Sequence, residues 1–467
     1  MRFTVNENEL EQLKLKFEKS NLQPEKGAFH AEHPIGIYWV KNINRTLSNV
    51  IHENSSAEDK IHKIQDTNFY SGDSDDEKIK ELTFQCWEKW FKKRNIVIET
   101  LDEKYQESEY YNHKKIFSKY GKMFSLDMMT KLNIVFDIEK YCPTLSKKER
   151  INVLEIGGGF GTQARLIKLK FENCRYILTD LPETLFFAYI YLRLNFPSAK
   201  IAFVSTKDEA ETVLKQTDYD FILVPCFFSG CMNRELRIDL ALNTRSLGEM
   251  NNKSSKYYLD LLENKVNTDY VLLLNRFLNC LDTINDGFRL KENGCFVQMG
   301  PNWKVLHCEF QPEFTCFPYN EQFIHCSEMY FIGQKTAKPE NYDLAQEEYL
   351  KYWYKRFLVQ PDYFRSLEVN IDKGKDGALI RLFNAIRVNK NEKHIDAMIK
   401  LLYGLEKKYM FEERPYYMDL YKEITGREHP IKWMQKRYFM AKVFNKIYLL
   451  PIIKRLWILS GFSKKTN

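Results

Sequence analysis

Ile151-Asn152-Val153-Leu154-Glu155-Ile156-Gly157-Gly158-Gly159-Phe160-Gly161 is the stretch that decides the fold of this 467-residue chain. An apolar run ends in an acidic residue and passes straight into a glycine turn. Glycine has no Cβ, so the backbone can bend tightly there and a ligand can approach it closely. A strand followed by such a turn and then a helix opens a nucleotide site. Two ligand classes compete for it. Gly159-Phe160-Gly161-Thr162-Gln163-Ala164 satisfies the G-x-G-x-x-A form of a dinucleotide fold. Glu155-Ile156-Gly157-Gly158-Gly159-Phe160-Gly161 satisfies an acidic residue followed by G-x-G-x-G, the form of a methyltransferase. Glu155 separates the two. A pyrophosphate is repelled by a carboxylate two residues before the turn, whereas the ammonium and sulfonium of S-adenosylmethionine are attracted by it.

Outward from the turn, a βα rhythm sets in. Strand-like runs fall at 153–156, 176–179, 201–204, 221–224, 238–242 and 270–274, with helical patterns at 184–194 and 208–215 between them. Strands alternating with helices predict an α/β fold with a doubly wound, mostly parallel, Rossmann-like sheet. Runs around 295–299 and 328–332 are candidates for closing strands. Asp180 ends the second run, 19 residues after Gly161, where a carboxylate can accept hydrogen bonds from both ribose hydroxyls. Leu181-Pro182 follows, with the proline suited to the first turn of the next helix. The cofactor-binding set is therefore Glu155, Gly157, Gly158, Gly159, Gly161, Thr162, Asp180 and Leu181.

These runs, taken with Asn243-Thr244-Arg245-Ser246-Leu247-Gly248-Glu249-Met250 and Leu273-Leu274-Asn275-Arg276-Phe277, resemble the sugar O-methyltransferases of bacterial surface-glycan clusters. The resemblance covers residues 115 to 335, about half of the chain. It implies a class I methyltransferase that uses S-adenosylmethionine and accepts a sugar hydroxyl of a surface glycan or its precursor, whether free, nucleotide-linked, lipid-linked or polymer-bound. Two alternatives stay open: a methyltransferase for a lipid or secondary metabolite, and a non-catalytic nucleotide-binding or assembly protein that keeps the fold. A nucleic-acid methyltransferase is disfavoured, because the sequence has no Asn/Asp-Pro-Pro-Tyr/Phe motif.

O-methylation needs the hydroxyl oxygen, the methyl and the sulfur in line, and a group to take the hydroxyl proton. Ligands sit beyond the carboxyl ends of the strands in an open α/β sheet. Taking 238–242 as the fourth strand puts Asn243 at that edge, with Ser246 and Glu249 following at steps of three. If 221–224 were the fourth strand instead, Pro225 and Cys226 would line the site. We take the first reading. Glu249 is the leading general base, and Arg276 at the next strand end can bind substrate hydroxyls or pair with Glu249. His307 is the runner-up base.

Composition bounds the rest. Hydrophobic residues make up 44% and charged residues 28%, as in globular chains of two or three domains. The start of the chain has no signal-peptide pattern, and no apolar run is long enough to span a bilayer. Ten cysteines at irregular spacing fit reduced thiols and a cytoplasmic location. His307-Cys308, Cys316 and His325-Cys326 lack a C-x-x-C knuckle, so no metal is expected. Residues 1–115 read as a helical region with an aromatic face at Phe84, Trp87, Trp90 and Phe91. Residues 116–335 carry the methyltransferase pattern, 336–428 a helical extension, and 429–467 a tail with nine Lys or Arg and no Asp or Glu. Net charge is +7, so the rest of the chain sums to 7 − 9 = −2, and the protein as a whole is not a nucleic-acid binder. Lys432, Lys436, Lys442 and Lys446 share an arc of about 120° on a helical wheel. A basic amphipathic helix with Trp suits an anionic membrane surface at the inner face, and equally a solvated helix packed on the core.

Overall fold

The computed structural model describes residues 3–35, 39–40, 43–66, 76–247, 250, 252–276, 302–311, 314–316, 323–325 and 328–336. They lie within one compact unit, Met1–Tyr349. The helical extension and the basic tail expected after residue 336, and the run at 295–299, lie outside the described residues.

The N-terminal region is helical, as its Leu and Phe spacing predicts. α1 (Glu7–Asn21) starts at Asn6, whose side chain accepts from Glu9 N, and buries Leu10, Leu13 and Phe17. α2 (Pro24–Glu32), α3 (Ser48–His52), α4 (Ala57–Asp66) and α5 (Glu77–Lys93) follow. The aromatic face of α5 is core: Phe84, Trp87 and Phe91 are buried. A hairpin comes next, β1 (Phe117–Lys119) with β2 (Lys122–Phe124). Its two turn residues, Tyr120 and Gly121, both have left-handed φ, which matches the twist of a two-residue hairpin.

α6 (Leu126–Tyr141), capped by Ser125, leads into the main sheet. Its strands are β3 (Ile151–Ile156), β4 (Cys174–Asp180), β5 (Ile201–Phe203), β6 (Phe221–Pro225), β7 (Arg237–Thr244), β8 (Asn267–Arg276), β9 (Trp303–Gln311) and, after a small hairpin of β10 (Phe314–Cys316) and β11 (Phe323–His325), β12 (Glu328–Lys335). The order across the sheet is β5-β6-β4-β3-β7-β8-β12-β9. The six strands from β5 to β8 are parallel, and β12 runs antiparallel between β8 and β9. The protein therefore has the doubly wound, mostly parallel, Rossmann-like sheet that the βα rhythm predicts.

α7 (Thr162–Lys170) joins β3 to β4, and α8 (Pro182–Asn195) leads out of β4. α9 (Lys207–Val213) and α10 (Asn252–Asp260) follow β5 and β7. Val153, Tyr176, Leu178, Leu240 and Leu242 share one buried cluster with α6, α7, α8 and the N-terminal helices. Leu154, Ile156 and Ile177, which alternate with them, are fully buried too. Burial of successive residues means both faces are covered, as a parallel sheet requires. The N-terminal region shares this core through contacts such as Phe17 against Phe186, 5.7 Å between rings.

The connections part at β3. The chain leaves it for β4 on one side, and later crosses back from β6 to β7 on the other. Ligands of open α/β sheets bind outside the carboxyl ends of the strands at such a switch point. In chain order 221–225 is the fourth strand of the sheet and 237–244 the fifth, which corrects the strand numbering expected from sequence. It is nevertheless β7 that lies beside β3, so Asn243 stands on a strand end at the carboxyl edge, while β6 is inserted between β4 and β5 with Pro225 opposite Asp180.

Candidate functional site

Three of the four glycines in the turn after β3 are left-handed. Gly157, Gly159 and Gly161 have φ of 68°, 59° and 96°. A side chain at any of them is strained by the backbone alone. Gly157 has no room either, because a Cβ there would sit 2.0 Å from Ser246 Oγ. Gly158 closes on Glu155, whose Oε2 would be 2.6 Å from an added Cβ. Gly161 N-caps α7, so the amides of the turn and of the first helical turn face the carboxyl edge.

Asp180 holds the turn from the neighbouring strand. Its Oδ2 accepts from Gly159 N at 2.9 Å and its Oδ1 from Leu181 N at 2.7 Å. The sequence assigned Asp180 to ribose hydroxyls; the structure adds that it anchors the glycine turn. A carboxylate oxygen can accept more than one bond, so the two roles are compatible. Leu181 takes the N-cap position of α8, with Pro182 at its first turn.

Glu155 is buried, 1% exposed, beneath the turn rather than projecting into solvent. It shares a face of the sheet with Val153 and Tyr176, and Tyr176 donates its hydroxyl to Glu155 Oε2 at 2.7 Å. Burial pushes the Glu155 carboxyl up to about 7, against the opposing effects of the Tyr176 hydrogen bond and the Lys131 charge. A cation arriving above the turn would meet this carboxyl and favour its ionised form.

Asn243 and Ser246 come together at the end of β7, as their spacing predicts, and both are engaged with β3. Asn243 is fully buried; its Nδ2 donates to Ile156 O at 2.7 Å and its Oδ1 accepts from Leu247 N. Asn243 also donates to Ser246 Oγ, which in turn donates to Ile156 O. Between them Arg245 has φ of 68°, unusual for a residue with a side chain. Its amide is held by Leu274 O of β8. The pair thus fixes the carbonyl that immediately precedes Gly157.

Thr162 opens α7, buried, with its Oγ1 lacking a hydrogen-bond partner. Arg276 ends β8 opposite Glu328 of β12, at the carboxyl edge; its side chain lies outside the described atoms. Glu249, the leading base from spacing, lies outside the described residues. His307 of β9 pairs with Ile332 of β12, in register with Leu272 of β8, and its ring is stacked on Tyr141, the last residue of α6, at 4.4 Å. Among the described residues no group of three or more His, Cys, Asp or Glu could hold a metal.

Sequence reading missed the layer that supports the turn. Tyr111 lies against Phe160 of the turn at 6.2 Å, and Phe160 against Tyr191 at 5.0 Å. Buried Glu107 faces Arg165 of α7 at 3.8 Å and accepts from Ser108 N and Ser125 Oγ. These residues come from segments far apart in the chain and carry no spacing signal.

No protein-family model and no curated protein sequence matches the chain. Solved structures do match in part. They include the magnesium protoporphyrin IX methyltransferase ChlM from Synechocystis PCC 6803 with bound SAM (10% identity, 45% of this chain and 84% of that one, TM-score 0.25). A second is the CurJ carbon methyltransferase (10% identity, 71% and 72%, TM-score 0.29), and a third is TehB from Haemophilus influenzae (11% identity, 42% and 62%, TM-score 0.27). Likenesses at these scores carry no inference about what this chain binds or methylates.

Proposed function

We propose that the chain is an S-adenosylmethionine-dependent O-methyltransferase whose acceptor is a sugar hydroxyl of a surface glycan or its precursor. The observation that carries the cofactor assignment is the left-handed glycine turn at the switch point, with Asp180 bonded to its Gly159 amide and Glu155 buried beneath it. The residues fit the group. Glycines permit close approach, an acidic residue stands where a ribose is expected, and the carboxyl under the turn suits a cation and opposes a pyrophosphate. S-adenosylmethionine would supply an activated methyl group on a sulfonium.

The chain's own residues then have three tasks. Asp180 and the turn hold and orient the nucleoside. Asn243 and Ser246 act as positioning residues: they fix the Ile156 carbonyl and so the start of the turn. Glu249, by its spacing from them, is assigned to take the acceptor proton, and Arg276 to orient the acceptor hydroxyls. A site shielded from water would suit a transfer in which charge is neutralised. The sugar acceptor rests on the sequence motifs at 243–250 and 273–277, and the basic tail at 429–467 is assigned to an anionic membrane surface, where lipid-linked glycans would be met.

The reading is tested in two steps. Calorimetry with S-adenosylhomocysteine should show binding by the purified chain; no binding overturns the cofactor assignment. Methyl-labelled S-adenosylmethionine incubated with the protein and fractionated cell extract should label glycan. Label confined to lipid-only or protein fractions overturns the acceptor assignment. Glu249→Gln should bind the homocysteine product normally and transfer no label. Co-sedimentation with anionic vesicles, lost on deleting 429–467, checks the tail.

A further inference from the structure

α2 crosses the carboxyl edge of the sheet, and three contacts taken in order along it trace its course. Near its start, Lys26 Nζ is 3.8 Å from Glu183 Oε1, in the first turn of α8 and three residues after Asp180. In its last turn, the His30 ring is 6.3 Å from Phe227, two residues beyond the end of β6. That end is adjacent to the site, because Pro225 of β6 is paired with Asp180 of β4. At its C-cap, the His33 ring is 4.5 Å from Tyr257 of α10, and Phe29 meets the same ring edge-on at 5.5 Å. The helix passes from the β4 side, over β6, to the helix that follows β7.

We propose that α2 is a detachable roof over the nucleoside end of the ligand site, lifting for entry and exit and reseating on the bound nucleoside. This rests on the cofactor reading above.

Two independent features say that the helix is made to lift. The first is its weak local structure. Gln23 at its N-cap makes no side-chain capping bond. Gly27 sits inside it although an added Cβ would meet nothing within 4 Å, so packing does not require a glycine there. An interior helical glycine costs about 0.5–1 kcal/mol relative to alanine. The second is a poor seat. α2 has no fully buried residue, whereas its neighbour α1 buries Leu10, Leu13 and Phe17. His30 Nε2 and His33 Nδ1 are buried in the seat without a hydrogen-bond partner. Each such orphan costs roughly 1–3 kcal/mol, and lifting the helix returns it to water. Elements with few buried apolar contacts occupy the low-stability end of a fold, and ligand-site lids are drawn from there.

The full chain and S-adenosylhomocysteine test this. In the wild-type protein, hydrogen exchange of the amides at 24–33 should slow when S-adenosylhomocysteine is added, together with those at 157–161. Phe29→Ala removes the edge-on contact to Tyr257, and stopped-flow measurements should show S-adenosylhomocysteine leaving about tenfold faster from this variant. Protection at 157–161 without protection at 24–33 overturns the roof and leaves the cofactor reading intact. An unchanged dissociation rate in a folded Phe29→Ala variant does the same. Absence of protection at both segments, with no calorimetric binding, overturns the cofactor reading and the roof with it.

Discussion

The two edges of the main sheet are built on opposite terms. At the amino edge a set of half-buried charges is paired. Lys148 bonds Asp239 and also Asp269 at 2.8 Å, Asp239 accepts the Asn152 amide, and Asp220 accepts from Lys168 and from the Lys200 amide. At the carboxyl edge, backbone and polar groups are held away from their preferences. Gly157, Gly159, Gly161 and Arg245 are left-handed, Glu155 is desolvated, and Thr162 keeps a buried hydroxyl without a partner. Strain and unsatisfied polarity persist only where surrounding structure enforces them, and they gather where ligands act. The same six parallel strands end in ion pairs on one side and in a left-handed turn on the other.

The harshest way to break this contrast is Gly157→Ala. The new methyl would lie 2.0 Å from Ser246 Oγ and 2.3 Å from Ser246 Cβ, on a backbone with φ of 68°. The turn must move, and S-adenosylhomocysteine affinity should fall more than about 100-fold, or beyond detection by calorimetry. Ser246→Ala in the same background should not restore it, because the clash with Cβ remains. Restored binding would show that the hydroxyl alone set the limit.

Asp180→Ala comes next. It removes the acceptor of the Gly159 and Leu181 amides as well as the partner assigned to the ribose. A charge-assisted bond is worth roughly 1.5–3 kcal/mol, so affinity should fall about 10- to 100-fold. Unchanged affinity would remove Asp180 from the site. The matching change at the other edge, Asp239→Ala, should behave in reverse. It leaves Lys148 and the Asn152 amide short of an acceptor, so thermal or urea unfolding should show a loss of about 1–3 kcal/mol. Affinity for S-adenosylhomocysteine should stay within about twofold of wild type, since no ligand contact is altered.

The sequence was informative where the signal is local. Six apolar runs of strand length gave all six parallel strands, and the glycines after Ile156 placed the turn. Asp180 and Asn243 could be set at the carboxyl edge because each directly follows its own strand. The insertion of β6 between β4 and β5 was not legible, since strand order depends on pairings made far along the chain. The support under the turn was invisible for the same reason: Glu107 meets Arg165 and Tyr111 meets Phe160 only in three dimensions. Helical spacing in the N-terminal region predicted helices but not that α2 would cross the site. The stack of His307 on Tyr141 was not legible either, because β9 and α6 meet only in three dimensions.

The finest contrast between the edges is a titration, and Glu155→Gln isolates it. Burial holds the Glu155 carboxyl at about 7 in the folded chain, above the 4.5 of an ordinary glutamate. The folded state therefore keeps this proton over a pH window in which the unfolded chain has released it. The stability this confers is fully present below 4.5 and is lost as pH rises through 7. Half-buried His30 and His33 act in the opposite sense, because desolvation holds both below the usual histidine value and their share of stability is lost as pH falls. The raw pH dependence mixes these slopes, whereas the difference between wild type and Glu155→Gln contains the Glu155 share. That difference should change by about 1 kcal/mol between pH 6 and pH 8, with the variant gaining relative to wild type as pH rises. Ligand binding gives the second reading of the same group. A cation over the turn favours the ionised carboxyl, so binding S-adenosylmethionine near pH 6.5 should release a proton. Calorimetry in buffers of different ionisation enthalpy measures that release. Its absence in wild type, or its persistence in Glu155→Gln, would detach Glu155 from the ligand and leave it as a prop for the turn.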